Sequence, residues 1–123
     1  MTLNDLRDEA TVLAKKQGFH KEKNNFGELL MLVVSELSEA LEAHRSGSPF
    51  DPNNIGQKPP EPEKAGGKEY FEYCIRGSIA EELADAIIRI CDIAGIYGID
   101  LDWHVKAKMA YNKTRPYKHG KQY

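Results

Sequence analysis

The chain has 123 residues, 41% hydrophobic and 29% charged, with a formal net charge of -2. That length predicts one domain over 1–123, and the negative balance excludes a global attraction for nucleic acid or anionic lipid. No run approaches the roughly 18 apolar residues of a membrane span, and the acidic N-terminus does not read as a secretory signal. Cys74 and Cys91, the only two cysteines, stand at no metal-ligand spacing. They read as reduced core thiols, so the expected compartment is the cytoplasm.

Thr2 and Asp5 form a capping box ahead of Leu3, Leu6, Ala10, Leu13 and Ala14, which recur at helical spacing until Gly18 closes the helix. After a polar link, Asn25 is the N-cap of a second helix, FGELLMLVVSELSEALEAHR, over Phe26 to Arg45. Leu29, Val33, Leu37, Ala40 and Leu41 share one arc of that helix, and Glu36 projects inside the arc with Glu39 at its edge. A carboxylate facing a core is costly unless it is paired, hydrogen-bonded or bound to a metal.

Residues 46–67 hold five of the six prolines (Pro49, Pro52, Pro59, Pro60, Pro62) and read as a long loop. KEYFEYCIR, 68–76, adds a short helix. Ser78 caps the next helix, with Glu81 at the capping-box position, and the apolar face of EELADAIIRICDIAGIYG runs to Gly98. Asp100 caps a last helix from Leu101 to about Lys113, followed by the basic tail 114–123. No segment alternates with period two. The expected fold is all-α, a bundle of four main helices with the 46–67 insertion between the two acidic ones. Two such apolar helices leave surface for self-association.

Glu82 and Asp85 repeat the i, i+3 spacing of Glu36 and Glu39, so side-by-side packing of the two helices would converge four carboxylates. Such a group raises its own pKa values unless cations neutralise it, and all-oxygen donors suit Mg²⁺ or Mn²⁺. Spacing alone leaves two alternatives open. Glu81, Asp85 and Asp92 can form a solvated flank with Arg89 at i+4 from Asp85, and Glu36 can pair with an arginine or lysine. His20, His44 and His104 are isolated and carry no assigned chemistry. Trp103 reads as core or interface.

Glu-Leu-Ser-Glu at 36–39 and Glu-Glu-Leu-Ala-Asp at 81–85 resemble the paired E-x-x-E and E-x-x-D signature of the MazG-like, all-α nucleotide pyrophosphohydrolases. That superfamily includes the dimeric dUTPases and the dCTP pyrophosphatases. Lys108, Asn112 and Arg115 reproduce the K-x-x-x-N-x-x-R pattern that follows the last helix pair in many members. The likeness covers about 25–121. It implies Mg²⁺ held by Glu36, Glu39, Glu82 and Asp85, with Glu36 or Glu39 orienting or deprotonating water, and Lys108, Asn112 and Arg115 on the substrate. It also implies a homodimer or homotetramer that hydrolyses a nucleoside triphosphate, deoxy or non-standard, to monophosphate and pyrophosphate. The insertion at 46–67 departs from the family's shorter connection and reads as a lid or subunit-contact loop. The alternative is a non-catalytic nucleotide- or metal-binding helical regulatory protein. Neither reading involves nucleic acid or membrane.

Overall fold

The computed structural model describes residues 1–47, 56 and 58–123. Among them it is all-helical: α1 (Leu3–Lys16), α2 (Phe26–Ser46), α3 (Lys68–Cys74), α4 (Ile79–Ile96) and α5 (Leu101–Thr114), with 3₁₀ turns at Pro62–Lys64 and Tyr117–Gly120. The helix ends follow local chemistry. Thr2 and Asp5 make a complete capping box, and the side chains of Asn25 and Asp100 accept the backbone N–H of Glu28 and Trp103. At Gly98, φ is 64°. This left-handed turn lets the Ile99 N–H reach back to the Ala94 carbonyl at 2.8 Å, ending α4 at little steric cost. Residues 48–55 and 57 of the 46–67 insertion lie outside the described residues. At its end the Glu61 N–H donates to the Tyr70 hydroxyl of α3 at 2.8 Å.

The chain falls into two compact units, Met1–Glu22 with Cys91–Tyr123, and Lys23–Ile90; the boundary lies inside α4. In the first unit α1 packs on α5, and the two helix starts satisfy each other. The Asp102 carboxylate accepts the N–H groups of Leu3 (3.0 Å) and Asn4 (3.2 Å), while the Asn4 side chain accepts from Leu101 N–H (2.9 Å) and donates to Asp100 (2.9 Å). Donors orphaned at a helix start thus meet carboxylates, which also suit the positive end of the helix dipole.

Helix α1 comes very close to α4. A Cβ on Gly95 would lie 1.8 Å from the Thr11 hydroxyl oxygen, so only glycine fits there. One turn earlier on α4, Asp92 receives His20 at 2.7 Å, with both side chains largely buried. His20, isolated in the sequence, is therefore a tertiary partner. Ala10, Cys91, Ile93 and Ala94 form this unit's buried apolar core. Trp103 is exposed, its ring edge-on to His104, rather than in that core.

Among the described residues of the second unit the buried apolar ones are Ala40 and Ala86, and the buried polar ones are Glu36, Ser78 and Glu82. Two carboxylates among these five is an unusual interior. Meanwhile Leu30, Met31, Leu37 and Leu41 of α2 and Leu83, Ile87 and Ile88 of α4 remain exposed.

Candidate metal centre

The acids arrive from two helices. Capped at Asn25, α2 runs without a break through Glu36 and Glu39 to Gly47. Helix α4 starts at buried Ser78, whose Oγ accepts the Glu81 N–H at 3.1 Å, and the Glu81 carboxylate accepts the Gly77 N–H. This fixes Glu81 at the helix start; Glu82 follows it and Asp85 stands about one turn on. Glu36 is 6% exposed and Glu82 8%.

Glu36, Glu82 and Asp85 each bring a carboxylate oxygen into one group, with these atoms all within 4.8 Å of one another. Burial pushes the Glu82 carboxyl up to about 7, helped by the charges of Glu81 and Glu39 and by its hydrogen bond to Glu36. Asp85 is raised by burial and then by the charges of Glu81 and Glu36, with Arg89 pulling the other way. Glu39 is exposed and stands outside the three-oxygen group, yet it is near enough for its charge to act on both Glu82 and Asp85.

Arg89 completes the site: its Nε donates to Glu36 Oε1. Helical spacing had suggested Asp85 as its partner. The observed pairing crosses from α4 to α2 and joins residues 53 positions apart, which no local pattern reveals. Among the described residues, the guanidinium that bonds Glu36 also acts by its charge on Asp85. Hard oxygen donors from buried acids, in excess over the cation beside them, match the preferences of Mg²⁺ or Mn²⁺.

The basic residues singled out at the C-terminal end belong to the first unit. Lys108 and Arg115 both lie over the Tyr111 ring, at 5.0 Å and 5.7 Å from its centroid. Half-buried Asn112, between them in sequence, has a buried Oδ1 with no partner among the described residues. Tyr111, which sequence reasoning did not select, thus organises the two cations by cation–π contact. Its signal was its place one residue before Asn112.

Comparison with protein-family models, with curated proteins and with solved structures finds no match to this chain.

Proposed function

We propose that this protein is a Mg²⁺-dependent nucleoside triphosphate pyrophosphohydrolase. The observation that carries the reading is the meeting of Glu36, Glu82 and Asp85, two of them buried, with Arg89 bonded to Glu36. Interiors do not gather surplus carboxylates without a use for a cation, because each ion costs several kcal/mol in desolvation. The acid spacing of the MazG-like enzymes supplies the reaction class.

In this reading Glu36, Glu82 and Asp85 hold the metal, with Glu39 at the solvent edge of the set. The bound ion would neutralise polyphosphate charge and polarise the phosphorus under attack. Of the two candidates, Glu36 and Glu39, we assign the orienting or deprotonation of the attacking water to Glu39, which is exposed beside the buried acids. Lys108 and Arg115, both over the Tyr111 ring, are assigned to the phosphates, and Asn112 to sugar or base. The exposed apolar rows of α2 and α4 are the faces on which two copies, or two pairs, associate.

The test is a panel of nucleoside triphosphates assayed with Mg²⁺, with monophosphate and pyrophosphate scored as products. Glu39→Gln should abolish pyrophosphate release and leave the helical circular dichroism unchanged. Full activity in that variant, or in excess EDTA, rejects the metal mechanism, and orthophosphate as sole product points to another phosphohydrolase. The Arg89–Glu36 ion pair favours one competing reading, a non-catalytic helical binding protein. That reading predicts nucleotide or metal binding with no turnover of any nucleotide in the panel.

A further inference from the structure

We propose that Arg89 is the resident counter-ion of the acid group, and that its guanidinium and the metal are alternative cations for the same carboxylates. This rests on the metal-binding reading above. Arg89 Nε binds Glu36, and Arg89 is the cation among the described residues that pairs with a member of the group.

The two partners differ in freedom. The Glu36 side chain is 8% exposed and fixed in the middle of α2, whereas the Arg89 side chain is 37% exposed. A long, partly solvated arginine can swing to water without disturbing a helix; the glutamate cannot. A divalent ion entering beside Glu36 meets a positive charge already in place. Coulomb repulsion between the two cations, at the reduced dielectric of a buried site, makes their occupancies anticoupled. The pair therefore stabilises the metal-free protein and weakens metal binding, so that an arginine contact lowers the affinity of a site it does not ligate.

Mn²⁺ titration by calorimetry tests this on the full chain. Arg89→Met should bind Mn²⁺ about tenfold more tightly than wild type, the scale set by one charge-assisted hydrogen bond. Arg89→Lys, which keeps a cation, should stay within about threefold of wild type. In EDTA at pH 8 Arg89→Met should melt below wild type, and saturating Mn²⁺ should close the gap. A measurement on wild type alone does not depend on variant folding. The Arg89 Nε–H resonance, protected by Glu36 without metal, should be lost to solvent exchange when Mg²⁺ saturates the site.

Unchanged or weaker Mn²⁺ binding in Arg89→Met, or an Nε–H resonance that persists in Mg²⁺, overturns the proposal and leaves the metal centre standing. Absence of Mn²⁺ binding in wild type and both variants refutes the metal centre itself, and the proposal with it.

Discussion

Replacing a buried acid of the site should stabilise the metal-free protein, and Glu82→Gln measures this best. Glu82 is 8% exposed, and its carboxyl is pushed from 4.5 up to about 7. The native state therefore holds the proton over a pH range in which the unfolded chain has released it. The stabilisation from that proton is fully present below about 4.5 and is lost as pH rises through about 7. At about 1.4 kcal/mol per pH unit, the rise corresponds to roughly 3 kcal/mol of destabilisation at pH 8. Glutamine keeps the shape, can donate its own hydrogen bond to Glu36, and never ionises. In EDTA, at one protein concentration, Glu82→Gln should melt about 10 °C above wild type at pH 8, given the few degrees per kcal/mol of a domain this size. Below pH 4.5 the two curves should converge. Mn²⁺ should raise the wild-type melting temperature and leave that of the variant nearly unchanged. A variant no more stable than wild type at pH 8, or one stabilised equally at pH 4.5 and pH 8, refutes the reasoning.

Two further outcomes follow from the packing. Gly95→Ala places a Cβ 1.8 Å from the Thr11 hydroxyl and 2.9 Å from its Cβ, so it should cost about 1–3 kcal/mol by urea denaturation despite alanine's better helix propensity. Adding Thr11→Ala removes the hydroxyl oxygen and should recover part of that loss, whereas strictly additive costs would count against the close crossing. In sedimentation equilibrium at micromolar concentration the protein should run as a multiple of 13.9 kDa, and Leu37→Asp should shift it toward smaller species; a monomer at every concentration contradicts the role given to the exposed rows.

What could be read from the sequence was local. Thr2, Asn25, Ser78 and Asp100 marked the helix starts, and Gly18 and Gly98 the ends, because capping is chemistry within four or five residues. The inward direction of Glu36 was readable for the same reason: helical period fixes its place in the arc, and the residue is buried. Other features lay beyond local reach. His20 meets Asp92 72 positions away, Asp102 caps a helix that starts 99 positions earlier, and Arg89 prefers Glu36 to the nearby Asp85. Each is a polar pair made between distant parts of the chain, and spacing along one helix carries no information about it. Leu37 and Leu41 lie on the apolar arc and remain exposed, since periodicity identifies an apolar face without saying what covers it.

The composition of the acid group separates a metal site from a purely structural ion pair more sharply than its existence does. An inward glutamate with an arginine partner is a complete structural unit, and Glu36–Arg89 alone meets that need. Among the described residues Glu82 and Asp85 make no ion pair: burial raises both, each is raised further by its acidic neighbours, and Arg89 only partly relieves Asp85. Replacing either by a neutral residue would remove a cost. Breaches of local consistency of this kind concentrate where function demands them. The second ion-pairing face that spacing allowed would turn these acids to solvent, yet Glu82 is buried and Asp85 half-buried against a third carboxylate. Their position makes sense for a site that must receive charge from outside the chain, and a divalent cation fits the donors present.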